Sequence, residues 1–162
     1  MTEPELLIKV LSDSSKIVAA AESCTAGLVA DLLAQVPGAS QVFWGSFVSY
    51  TVPAKIQMLG LDKTVIQRYG AVSAETACAM AQAALEQSSA DMAVSVTGLA
   101  GPSGDGSLAP VGTVWIGTIT RGKEAQARNF HYTGSRGEVR GAAALQAVKE
   151  LLQLFDLTEP GC

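Results

Sequence analysis

The sequence predicts an α/β fold, a three-layer α/β/α sandwich around a mixed, mostly parallel sheet. Three observations carry this reading. Short apolar runs of strand length, at residues 16–21 and 91–96, have the character of buried strands. Segments with helical spacing lie between them. Two segments rich in β-formers then follow closely, at 111–119 and 124–132, and read as an antiparallel hairpin joined through Arg121-Gly122-Lys123.

The elements follow in order. Residues 5–11 predict a short leading helix and 16–21 a buried strand. A helix over 25–35 comes next, ended by Pro37-Gly38-Ala39-Ser40. Val42, Phe43, Trp44, Phe47, Val48 and Tyr50 make 42–50 a strand. Pro53 in a first turn and Gly60 at the end place a short helix at 53–59. Residues 62–69 are helical. Ser73 and Thr76 offer caps to a helix running to 88, and Ala79, Met80, Ala83 and Ala84 give it a face that packs closely. The strand at 91–96 runs into a glycine-rich loop at 98–110. After the hairpin, Val139, Ala143, Leu145, Val148, Leu151 and Leu152 recur near helical spacing, so 136–155 predicts a closing helix. With no repeat, linker or break in composition, residues 1–162 read as one domain.

Composition limits the function classes. A chain that is 48% hydrophobic and 16% charged suits a globular protein rather than a disordered one. Its net charge of −4 gives no general attraction to nucleic acid. No apolar stretch reaches the roughly 18–20 residues of a membrane span, and the acidic start does not resemble a secretory signal. Cys24, Cys78 and Cys162 form no close pair, which suits a reducing cytoplasm. Neither nucleic acid nor membrane is therefore an expected partner.

Four segments could carry chemistry. Ser23-Cys24-Thr25-Ala26-Gly27 joins a strand to a helix, which sets hydroxyls beside the free N–H groups of a helix start. Such groups favour a developing oxyanion, although capping the helix is what Ser23 or Thr25 would more often do at such a position. His131 is the single histidine, in a strand, and reads as a structural or exposed side chain. With one histidine and no clustered thiols or carboxylates, a three-ligand metal site is hard to assemble, so no metal and no cofactor is expected. A serine can instead be activated by a lysine whose pKa is lowered by burial. Lys55, five residues past Tyr50, could fill that role or be a solvated surface group. The run Thr97-Gly98-Leu99-Ala100-Gly101 ends a strand in closely spaced glycines, where backbone can approach a ligand or simply flex. Arg136 and Arg140 share one face at the start of the last helix, as a phosphate clamp or as a charge pair with Glu138.

In this order and spacing the four segments resemble the CinA C-terminal domain family, whose stand-alone members include bacterial nicotinamide-nucleotide amidases. The matching stretches are 21–27, Tyr50 with Lys55, 97–102 with 110–114, and 134–136 with Val139-Arg140. The resemblance implies an α/β/α domain that forms homo-oligomers, with a dimer favoured. It implies hydrolysis of nicotinamide mononucleotide to nicotinate mononucleotide and ammonia. Ser23 would be the nucleophile, Lys55 its general base, and Tyr50 an aid to proton transfer. Backbone around Thr25, Ala26 and Gly27 would stabilise the oxyanion. Thr97, Gly98, Ala100 and Gly101 would border the substrate, and Arg136 and Arg140 would take its phosphate.

The chain departs from the family pattern at three places. Ala26 stands where a second glycine is common, Thr51-Val52-Pro53 replaces a polar run, and Ser135 replaces an aspartate. These departures leave a second function open, a non-catalytic nucleotide-binding or interaction module on the same fold.

Overall fold

The computed structural model describes residues 1–156. Its elements in chain order are α1 (Glu3–Asp13), β1 (Val18–Glu22), α2 (Leu28–Ala34), a 3-10 turn (Ala39–Gln41), β2 (Phe43–Val48), α3 (Val52–Leu59), α4 (Lys63–Tyr69), α5 (Ala74–Glu86), β3 (Met92–Gly98), β4 (Thr113–Thr120), β5 (Gln126–His131) and α6 (Arg136–Asp156). The sheet order is β2-β1-β3-β4-β5. β2, β1 and β3 pair in parallel, whereas β4 runs antiparallel to both β3 and β5. Four of the five strands thus share one direction, which is the mixed, mostly parallel α/β sheet the sequence predicts.

Alternation along the strands builds two cores. Val18, Ala20, Met92, Val94, Val96, Val114 and Ile116 face one layer, where they meet Leu7 and Leu11 of α1, Val29 and Leu33 of α2, and Val148 and Leu151 of α6. Ala19, Ala21, Ala93 and Ile119 face the other, against Leu59 of α3, Ile66 of α4 and Met80 and Ala84 of α5. The small residues on this second face let α5 lie close to the sheet. It crosses closely at Gly117, where an added Cβ would sit 2.5 Å from the Ala77 carbonyl oxygen and 2.6 Å from Ser95 Oγ. Ser95 Oγ in turn donates to the Ala77 carbonyl at 2.6 Å, tying helix to strand.

Most boundaries shift by a residue or two from the sequence reading, and three of the shifts bear on the site. α2 begins at Leu28 instead of residue 25, because residues 23–27 form a separate turn with Ala26 and Gly27 at φ 47° and 100°. β2 stops at Val48, freeing Tyr50 from the sheet. β4 starts at Thr113, after a turn through Gly112 at φ 94°. The 3-10 turn falls where a loop was expected.

In register, Glu22 lies between Val48 and Val96, so β1, β2 and β3 end side by side. Parallel strands in open α/β sheets place ligand sites at this edge. The turn after β1, the segment entering α3 and the glycine-rich loop after β3 all emerge there.

The close crossing at Gly117 is testable by adding one methyl group. Gly117→Ala is expected to lower stability by about 1–3 kcal/mol, measured as a lower denaturation midpoint. An unchanged midpoint would mean that α5 does not sit this close to the sheet.

Candidate active site

The turn after β1 is held from its N–H side by a carboxyl group. Glu22 ends the strand with no exposed surface. Its Oε2 accepts from the N–H groups of Gly27 at 2.9 Å and Val29 at 3.0 Å. Its Oε1 accepts from Ala30 N–H at 3.0 Å and Ser46 Oγ at 2.8 Å. The start of α2 is therefore filled by the protein's own carboxyl group, with dipole and donors both suited to it. Ala26 N–H is also committed, to the Ser23 carbonyl. Of the N–H groups expected to serve an oxyanion at 25–27, those of Ala26 and Gly27 are thus taken. The Thr25 N–H has no acceptor among the described residues.

Ser23 leaves this turn, 7% exposed, toward α3. Thr51 caps α3 by accepting from Ala54 N–H, Pro53 sits in its first turn, and Gly60 ends it in the left-handed region. One helical turn apart, Lys55 and Leu59 face inward, and Lys55 is only 2% exposed. Its Nζ lies 2.7 Å from Ser23 Oγ and 3.1 Å from the Ser49 carbonyl. Burial lowers the Lys55 pKa to about 8. The ammonium is therefore partly deprotonated near neutral pH, and the neutral amine can accept the serine proton. Burial pushes the neighbouring Cys24 thiol the other way, up to about 11. Of the two adjacent groups, the hydroxyl has the base and the thiol stays protonated.

These groups open into a cleft of about 270 Å³. Tyr50, Val52, Ala71, Val72, Arg136 and residues 97–101 line it. Thr97 supports this lining, its hydroxyl donating to the Ala71 carbonyl at 2.7 Å. Gly98 allows β4 to pass, since a Cβ there would come within 2.9 Å of the Thr113 carbonyl oxygen. Asp105 also lines the cleft, and hydrogen bonds from Ser107 hold its carboxyl below the ordinary range.

The expected site residues divide by what their polar atoms touch. Tyr50 reaches the Ser23–Lys55 pair through its carbonyl, which accepts from Ser23 Oγ at 3.2 Å. Its phenol is 2.6 Å from Arg136 Nη2, at the rim, and not beside the pair. Arg136 also donates from Nη1 to the Gly101 carbonyl at 2.6 Å and borders the cleft. Arg140 does not border it. Its Nε donates to the Cys24 carbonyl at 2.8 Å and its Nη2 to the Thr25 carbonyl at 3.0 Å. A two-arginine clamp facing one ligand is thus not formed, because Arg140 turns its guanidinium onto the turn behind Ser23. Ser135 and Glu138 form a reciprocal capping box at the start of α6, so serine in place of aspartate preserves a cap there. His131 is exposed.

Sequence reasoning did not single out Glu22, Asp105 or Ser49. A glutamate closing the buried run 19–21 was the available signal for the first. Nothing local marks Asp105. The buried Ser49 hydroxyl has no protein partner among the described residues. No group of three or more His, Cys, Asp or Glu among those residues could hold a metal ion, and no helix is long and apolar enough to cross a membrane.

Known proteins share this architecture. The model for the CinA C-terminal domain matches residues 2–155. A CinA-like protein from Akkermansia muciniphila is 46% identical over 134 residues, which is 83% of this chain and 32% of that protein. The chain thus spans about a third of the length of that relative. Among solved structures, competence/damage inducible protein CihA from Agrobacterium tumefaciens superposes with a TM-score of 0.89 at 38% identity, covering 96% of this chain and 97% of that one. A competence-damaged protein (CinA) superfamily protein from Escherichia coli gives 0.90 at 32% identity, covering 94% of this chain and 88% of that one. Matched along almost all of its described length, the chain belongs to the CinA C-terminal domain family.

Proposed function

We propose that this chain is an amidohydrolase that converts nicotinamide mononucleotide to nicotinate mononucleotide and ammonia. The observation that carries the reading is the 2.7 Å contact between Ser23 Oγ and the buried Lys55 Nζ at the floor of a cleft. A lysine with lowered pKa beside a serine hydroxyl is an arrangement that serves nucleophilic catalysis where no histidine stands beside the serine.

In this mechanism neutral Lys55 takes the Ser23 proton as Oγ attacks the carboxamide carbon. The tetrahedral intermediate collapses by breaking the C–N bond, and the Lys55 ammonium returns the proton to the departing nitrogen, which leaves as ammonia. Water, deprotonated by Lys55, then attacks the acyl-enzyme, and the proton returns to Ser23 as the carboxylate is released. Atoms and charge balance as amide plus water giving carboxylate plus ammonium, the proton of the new acid passing to the released ammonia through solvent. Arg136 has N–H donors beyond the two it uses on Tyr50 and Gly101, and in this reading they bind the substrate phosphate. The Asp105 carboxylate complements the positive pyridinium ring.

Ser23→Ala and Lys55→Met are each expected to reduce ammonia release by about 10²–10⁴-fold or more. Lys55→Arg should fail as completely, since a guanidinium does not give up its proton. Full turnover in any of the three would exclude the pair as nucleophile and base. A non-catalytic binding module would instead bind the nucleotide and release no ammonia from the unaltered protein.

Activity should also depend on pH through Lys55. With a folded pKa of about 8, kcat/KM is expected to rise with pH up to that region and level off above it. Stability should follow the same group. Because its unfolded value is near 10.5, the unfolded chain binds more protons between about 8 and 10.5, so stability rises across that window. Lys55→Met should therefore fold at least as stably as the unaltered chain at neutral pH. A pH-independent rate together with a strongly destabilised Met variant would contradict the buried, partly neutral lysine.

A further inference from the structure

We propose that Arg140 is a positioning residue, which sets the turn behind Ser23 and strengthens one of its two uncommitted N–H groups, that of Thr25, as an oxyanion donor. The inference rests on the amidohydrolase reading for its kinetic consequences, but its geometry stands apart from it. Arg140 lies on α6, far along the chain from the turn it grips. It reaches across with two donors of its planar guanidinium, Nε to the Cys24 carbonyl and Nη2 to the Thr25 carbonyl. That fork fixes two successive peptide groups at once, which a single-point cation could not do.

The placement matters because of which N–H groups remain. Glu22 consumes the Gly27, Val29 and Ala30 donors, and Ala26 N–H bonds the Ser23 carbonyl. Ser23 N–H is spent on the Val96 carbonyl in the sheet. The N–H groups of Cys24 and Thr25 are left over, and the second belongs to the same peptide group as the Cys24 carbonyl that Arg140 holds. A cation donating to a peptide oxygen draws electron density from the nitrogen, so the N–H of that peptide becomes a stronger donor. The turn is thus gripped from both sides: a carboxyl group on its N–H face, a guanidinium on its carbonyl face. The left-handed Ala26, at φ 47°, is a conformation that costs about 1–2 kcal/mol and has to be held in place.

The experiment compares Arg140→Gln and Arg140→Lys with the unaltered chain. Ammonia release is measured from nicotinamide mononucleotide and from nicotinamide riboside, its form without phosphate. For Arg140→Gln the expected result is a fall in kcat of about 10- to 100-fold on both substrates, with KM changed less than about threefold. Arg140→Lys, with one point donor for two, should recover part of that loss. A rise in KM confined to the phosphorylated substrate would overturn the proposal, since it would make Arg140 a phosphate ligand.

An amide ¹H–¹⁵N spectrum supplies a readout that needs no turnover. The Thr25 amide proton should shift upfield in Arg140→Gln while the melting midpoint shows the domain still folded. Should Arg140→Gln not fold, the same shift is read in Arg140→Lys. A Thr25 resonance that does not move in the folded variant overturns the proposal. If the unaltered chain releases no ammonia from either substrate but the Thr25 resonance moves, the positioning role stands and the amidohydrolase reading fails.

Discussion

The arrangement depends on a buried carboxyl group. Glu22 ends the central strand with no exposed surface, and its two oxygens collect three backbone N–H groups and a serine hydroxyl. Leaving a buried donor without a partner costs about 1–3 kcal/mol, so this one side chain makes the start of α2 tolerable inside the fold. It also fixes the path of the chain between β1 and α2. Ser23 is the next residue, and its position follows from where Glu22 must sit. A helix start that looks free in the sequence is therefore closed, and the turn rather than the helix carries the remaining donors.

Lys55 illustrates the opposite balance. An ammonium buried on the inner face of α3, its pKa lowered to about 8, is a liability for folding. Apolar side chains of similar length would pack there without that penalty. The same burial makes the lysine a usable base. Stability and chemistry thus pull against each other at one residue, a pattern common at functional sites. The backbone carbonyls of Ser49 and Tyr50 lie within reach of its Nζ and offset part of the cost without adding a negative charge.

Much of the fold was legible because period and composition report burial. The runs at 16–21 and 91–96 became β1 and β3, and the small residues of 73–88 became the close-packed face of α5. The site was less so. The residue types at 23, 50, 55 and 136 could be named from local pattern, but the pairing of Ser23 with Lys55 entered through family resemblance, since spacing alone left Lys55 open as a surface group. What could not be read was the direction of each donor. Arg136 and Arg140 look equivalent on one helix face, yet the first reaches the cleft wall and the second reaches the turn behind it. Only the packing of α6 against a segment far away in the chain decides that. Tyr50 shows the same limit, for its carbonyl and its phenol serve different neighbours. The short span of the strand-to-helix turn also hid that the Gly27 N–H and those of Val29 and Ala30 were already taken by Glu22.

The central claim is that Ser23, and not the adjacent Cys24, carries the acyl group during turnover. The most direct measurement is acid quenching of the protein while it turns over nicotinamide mononucleotide, followed by peptide mass analysis. The account predicts an adduct on Ser23 equal to the substrate less ammonia, absent from the Ser23→Ala protein. Ammonia release with no adduct on Ser23, or with the adduct on Cys24, would contradict it.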